Sequence, residues 1–175
     1  MSEALANVLR DQIGAEQICR NRLLEIATSA HLTDAERLGV LEQAVEEIAH
    51  EQVFSAALAR YDTPPDTRES VLAISDASCG RLEEPALRVA DFRAVERKMR
   101  PSLRSARRAF AAAGDLETAA VYDRVIADED AHAAFNKALY RRLAASPIGA
   151  ALRARYAGLI HGHYTMALYR RALAG

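Results

Sequence analysis

Two short motifs, Glu47-Ile48-Ala49-His50 and Glu129-Asp130-Ala131-His132, are each preceded by one glutamate at a similar distance. Glu16 stands 31 residues before Glu47, and Glu96 stands 33 before Glu129. Glu and His three apart on a helix share a face, so both can bind one metal ion. Two antiparallel helices meet at equal height at residues equidistant from their turn. The midpoints, 31.5 and 112.5, fall within Ser29-Ala30-His31-Leu32-Thr33 and beside Ala113-Gly114-Asp115, and both stretches read as turns. Each marked residue is then roughly 23 Å along its helix at about 1.5 Å per residue, so four helices can bring the whole set to one level. Glu25 would need a partner near position 38 and meets Leu38, so Glu16 is preferred. A lone Glu-x-x-His is usually a solvated pair; the duplication with matched spacing carries the argument here.

The rest of the chain suits helices. Its 175 residues are half hydrophobic with only five prolines, so one globular domain spanning 1–175 is expected. Ala, Leu, Arg and Glu dominate, which favours an all-α fold. A net charge of −1 shows no nucleic-acid footprint. No apolar run is long enough to span a bilayer, and the first residues lack the pattern of a signal peptide. Cys19 and Cys79 have neither metal-binding nor redox spacing. A soluble, cytoplasmic protein with reduced thiols is the expectation.

Helix 1 is predicted over about 3–28, with Leu5, Leu9, Ile13, Glu16, Cys19 and Leu23 on its inner stripe. Glu16 interrupts that stripe, and a buried unpaired carboxylate is costly. A capping box, Thr33 with Glu36, opens helix 2, which runs to about Tyr61 with Glu47, His50 and Phe54 inward. Glu46 rivals Glu47 in register, but only Glu47 stands three before His50. Asp62-Thr63-Pro64-Pro65-Asp66 ends the helix, and a connection of about 25 residues follows, with a short helix over 69–74. Helix 3, about 86–113, carries Glu96 and Met99 inward and contains Pro101, which either opens a path toward the ligands or merely bends the axis. Gly114 and Asp115 separate it from helix 4, about 116–145, which bears Tyr122, Glu129, His132 and Asn136. Tyr122, two turns before Glu129, is a candidate hydrogen-bond donor or oxidisable tyrosine near the site, or else core. Ser146-Pro147 reads as cap and first turn of a fifth helix, about 147–173. Tyr156, Leu159, His163, Met166 and Tyr169 are placed to pack on the bundle or a second subunit, and His161 and His163 form no metal pair.

The doubled Glu…Glu-x-x-His pattern resembles the ferritin-like di-iron carboxylate superfamily over about residues 3–145. The resemblance implies a ferritin-like four-helix bundle with a long crossover between helices 2 and 3. It implies a centre at Glu16, Glu47, His50, Glu96, Glu129 and His132 holding two Fe ions or a Mn/Fe pair, with O2 as co-substrate. Four carboxylates and two imidazoles make a hard donor set suited to iron or manganese rather than structural zinc. Ferritins proper lack the second histidine. Bacterioferritins place a haem-ligating methionine where this chain has Ile48, and rubrerythrins place a further glutamate where it has Arg93. Asp11-Gln12-Ile13-Gly14-Ala15-Glu16 resembles the Asp-x-x-Gly-Glu motif of the demethoxyubiquinone hydroxylase group with one residue inserted. The expectation is a non-haem di-iron oxidase or oxygenase acting on a small organic substrate, a monomer or homodimer served by an electron donor such as a reductase or ferredoxin. The alternative is a ferroxidase or iron-storage protein of bacterioferritin type.

Overall fold

Thr33 sets the first long helical hairpin. Its hydroxyl accepts from the Glu36 amide while the Glu36 carboxylate accepts from the Thr33 amide, so two otherwise orphaned donors are satisfied where α2 begins. Arg37 then donates to the carbonyls of Ala27 and Ser29, closing the end of the preceding helix. The computed structural model describes residues 2–61 and 84–174; of residues 2, 96–98 and 162–174 it describes the backbone alone. The described chain is all-helical: α1 (Ser2–Ala27), α2 (Asp34–Leu58), a 3-10 turn (Pro85–Leu87), α3 (Arg88–Ala112), α4 (Leu116–Ala144) and α5 (Gly149–Ala174).

The second hairpin turns at Gly114, whose φ of 84° is a left-handed conformation that favours glycine. Asp115 follows as N-cap of α4, accepting from the Thr118 amide and hydroxyl. α1 packs along α2 and α3 along α4; α2 also meets α4, and α1 meets α3. Tyr61 donates to Asp115, and Arg60 donates to Glu117 and Thr118, so the end of α2 is tied to the α3–α4 turn. At the other end Ser29 donates to Glu84, which caps the 3-10 turn. Tyr61 thus lies by the α3–α4 turn and Glu84 by the α1–α2 turn. The short helix expected over 69–74 and Cys79 lie outside the described residues.

Two apolar cores result. One, toward the α1–α2 turn, contains Leu23, Ile26, Val40, Val89, Leu143 and Leu152. The other, toward the α3–α4 turn, contains Leu9, Phe54, Leu103, Phe110, Tyr122 and Val125. Each large apolar side chain fully buried contributes roughly 1.5–3 kcal/mol. Between the cores, in sequence and in space, lies a buried polar layer of Glu16, Glu47, His50, Glu129 and His132.

α3 continues through Pro101, which faces an outer groove rather than the polar layer. The start of α5 departs from expectation. Ser146 donates back to the Leu143 carbonyl instead of capping forward, and the helix opens at Gly149. Gly149 passes so close to α4 that a Cβ there would sit 2.1 Å from the Ala144 carbonyl oxygen. α5 packs on α3 and α4 through buried Leu152 and through Tyr156 against Tyr140, while the side chains of His163, Met166 and Tyr169 lie outside the described residues. Among the described residues no helix is long and apolar enough to cross a membrane.

Candidate metal centre

Three helices bring their polar residues to one height because each hairpin places them at matched distances from its turn. Glu16 comes from α1, Glu47 and His50 from α2, Glu129 and His132 from α4, and all five are buried. One donor atom from each of Glu16, Glu47, His50 and Glu129 falls within 4.8 Å of the others, a group of a size and composition to hold a metal ion. His50 Nδ1 lies 3.4 Å from Glu47 Oε2 and 3.8 Å from Glu16 Oε2. His132 Nδ1 lies 3.6 Å from Glu47 Oε1 and 3.7 Å from Glu129 Oε1. Glu47 thus stands between the two imidazoles, whose ring centres are 6.1 Å apart. Glu96 lies on α3 between Val95 and Met99, which face the layer; its side chain is outside the described residues.

The far nitrogens of the two imidazoles are held across the helix pair. His50 Nε2 on α2 lies 3.1 Å from Asp128 Oδ2 on α4. His132 Nε2 on α4 lies 2.5 Å from Glu46 Oε2 on α2. Each carboxylate belongs to the residue just before the other helix's glutamate. Ionised carboxylates only accept, so Nε2 carries the proton and donates, which turns Nδ1 inward. Glu46 entered the sequence reading only as a rival ligand, and Asp128 did not enter it at all. The shared signal was visible in retrospect: an acid precedes the Glu of both Glu-x-x-His motifs.

Gln12 donates to Glu16 Oε1 at 2.5 Å, one turn before it on α1. Glu16 Oε2 and Glu129 Oε1 are buried with no hydrogen-bond partner among the described residues. An unsatisfied buried acceptor costs about 1–3 kcal/mol, and more when charged, so two such oxygens turned toward one layer fit a cation. Hard carboxylate oxygens with imidazole nitrogens are the donor set that iron and manganese favour.

Protonation follows from the same crowding. Burial pushes the Glu47 carboxyl up, and beyond an opposing hydrogen bond to His50 the neighbouring charges of Glu16 and Glu129 hold it there, at about 10. Burial acts the other way on His50, but Glu16, Glu47 and Asp128 outweigh it and raise the imidazole to about 11. His132 is raised too, with burial opposing and Glu129 and Glu46 prevailing. Burial would raise Glu16, yet His50, Glu47 and Gln12 leave it below the usual range. Protons thus gather where acidic oxygens converge.

Beside the layer is an enclosed cavity of about 10 Å3, bounded by Cys19, Phe92, Val95, Met99, Glu129 and Asn136 among others. That is room for about one water molecule. Burial, reinforced by the charges of Glu47 and Glu16, raises the Cys19 thiol well above its usual range, so it stays neutral. For Tyr122, open in the sequence between donor, oxidisable tyrosine and core, the described contacts are those of core packing. Its hydroxyl is buried without a partner among the described residues, and its ring packs on Phe54 at 4.9 Å and Phe110 at 5.5 Å.

Comparison of the chain with protein-family models, with curated proteins and with solved structures finds no match. The functional reading therefore stands on the geometry above.

Proposed function

We propose that the chain is a non-haem di-iron oxidase or oxygenase, built as a ferritin-like four-helix bundle with a long crossover between α2 and α3, that uses O2 to oxidise a small organic substrate. The observation that carries the reading is the reciprocal pairing of the two histidines. Each Nδ1 faces the buried carboxylates while each Nε2 is fixed by an acid on the opposite helix. Structural ion pairs rarely need such a device, whereas metal-binding imidazoles usually have one.

Glu16, Glu47, His50, Glu129 and His132, with Glu96 from α3, would hold two metal ions. The chemistry such a pair supplies when bound is paired-electron reduction of dioxygen. Glu47 stands between the imidazoles and would contribute its carboxylate to holding the ions. It and His50 retain protons in the metal-free protein and release them on loading. Asp128 and Glu46 fix the imidazole tautomers. Phe92, Val95 and Met99 keep bulk water from the cavity side.

A second reading, a ferroxidase, is favoured by one observation. The cavity takes about one water, so ferrous ion and O2 fit it readily, whereas an organic substrate requires the α3 wall to move. Aerobic titration with ferrous ion separates the two. An oxidase binds about two irons per chain and then stops consuming O2 until substrate and reductant are added. A ferroxidase keeps consuming O2 and retaining iron far beyond that ratio, in an assembly of several hundred kilodaltons. Binding of zinc alone, or of no metal, defeats both readings.

A further inference from the structure

α3 and α4 face each other through a ladder of charges that repeats every seven residues. Arg107 forks onto Asp123 with both contacts at 3.0 Å. Seven residues farther from the turn on each helix, Arg100 pairs with Asp130. Seven farther again, the third rung sets Arg93 level with Lys137, a cation facing a cation. Both line an open groove of about 610 Å3, together with Arg100, Arg104 and Asp130. Ala133 and Ala134 form its α4 wall between Asp130 and Lys137, where longer side chains would fill the space. Asp130 is the single acid among the lining residues, and Arg104 reaches it only at 4.0 Å. Four cations therefore share one carboxylate, although across the chain 24 acidic residues offset 23 Lys and Arg.

We propose that this groove binds a small phosphoryl anion, a diphosphate or the phosphate group of a small organic ligand, between Arg93 and Lys137. Like charges gathered in a concave surface repel one another and raise the local potential for an anion. The bound anion supplies at the third rung the negative charge that Asp123 and Asp130 supply at the first two. Guanidinium forks match phosphate oxygens in pairs, and a lysine adds a compact point charge. Arg100 Nε is buried without a hydrogen-bond partner among the described residues, so this guanidinium keeps a donor that Asp130 does not use. A groove of this size has room for an organic portion beyond the phosphate. Its charge is also confined. Toward the turn Arg107 is taken by Asp123, and toward the other end Arg88 and Arg155 are taken by Asp91. A patch this short suits a small ligand rather than a long polyanion.

None of these side chains is a proposed metal ligand, so the metal-free chain serves for the test and its outcome is independent of the di-iron reading. Inorganic pyrophosphate titrated calorimetrically into that chain should saturate at one per chain, with an affinity that falls as salt is added. Lys137→Gln and Arg93→Gln should each weaken it about tenfold or more, the worth of one hydrogen bond to a charged group. Lys137→Glu, which completes the ladder with an acid, should abolish binding. Circular dichroism should remain unchanged, because Lys137 is exposed. Arg107→Gln removes the same charge from a rung that already has its acid, and should leave the affinity nearly as it was. Absence of saturable binding overturns the proposal. So does an equal loss in Arg107→Gln, which would reduce the effect to net charge. Retention of heparin without binding of pyrophosphate overturns it too, and would make this face a polyanion surface.

Discussion

His132 on α4 and Glu46 on α2 meet at 2.5 Å although 86 residues separate them, and His50 and Asp128 repeat the contact in reverse. Glu46 and Asp128 are each about half exposed, so replacing them should leave the fold intact. Glu46→Ala and Asp128→Ala should each weaken metal binding about 10–100-fold, the usual effect of freeing a ligand imidazole. Anaerobic competition titration with ferrous ion or cobalt measures this. Glu51→Ala is the control, since Glu51 pairs with Arg20 and not with a histidine. Equal effects from all three variants would reduce the contacts to surface electrostatics.

Metal-free stability should fall as pH rises. Glu47 is held at about 10 against 4.5 when unfolded, and His50 at about 11 against 6.5. In both cases the folded state keeps a proton that the unfolded chain releases. The stabilisation is therefore full below the unfolded value and is lost as pH climbs toward the folded one. Glu16, lowered, acts oppositely, and its contribution disappears only in acid. The melting temperature of metal-free protein should thus decline between about pH 6 and pH 9. Glu47→Gln should flatten the decline and weaken metal binding together. Metal affinity should rise with pH, because loading displaces protons. A flat metal-free profile would show that the cluster does not hold the protons assigned to it.

Tyr122→Phe should stabilise the protein by about 1 kcal/mol, because the buried hydroxyl has no partner to lose. Its ring contacts with Phe54 and Phe110 do not involve the oxygen. Urea unfolding provides the number. A loss of similar size would mean that the hydroxyl has a partner after all, and iron-loaded protein would then be the place to seek it.

What could be read from the residues alone, and what could not, divides along a physical line. Helical rise is constant, so equal distances from the turns at about 31.5 and 112.5 place Glu16 level with Glu47 and predict that Glu129 and His132 share a layer. Cap chemistry acts within four residues, so the starts of α2 and α4 were legible. Glu46 and Asp128 were not, because periodicity locates a residue on its own helix and says nothing of what a neighbouring helix offers it. The same holds for Ser146. Its hydroxyl had two local options, and the tight passage of Gly149 beside Ala144 goes with the backward one.

Arg155 on α5 shows the same non-local logic and supports the last prediction. Its guanidinium forks onto Asp91 of α3 at 2.6 and 2.7 Å, while Arg88 reaches both Asp91 at 3.2 Å and Glu25 of α1 at 2.9 Å. The Asp91 side chain is only 5% exposed, so it depends on these cations. Arg155→Ala leaves Asp91 paired with Arg88 and removes a polar anchor of α5, and should cost about 2–3 kcal/mol. Arg155→Lys should recover only part of that, because an ammonium cannot reproduce the fork. Hydrogen exchange should quicken over residues 149–161 before it does in α1 or α2. Metal affinity should be nearly unchanged, since the anchor lies in the layer next to the α1–α2 turn rather than at the carboxylate cluster. A global loss of protection would instead make α5 an integral wall of the bundle.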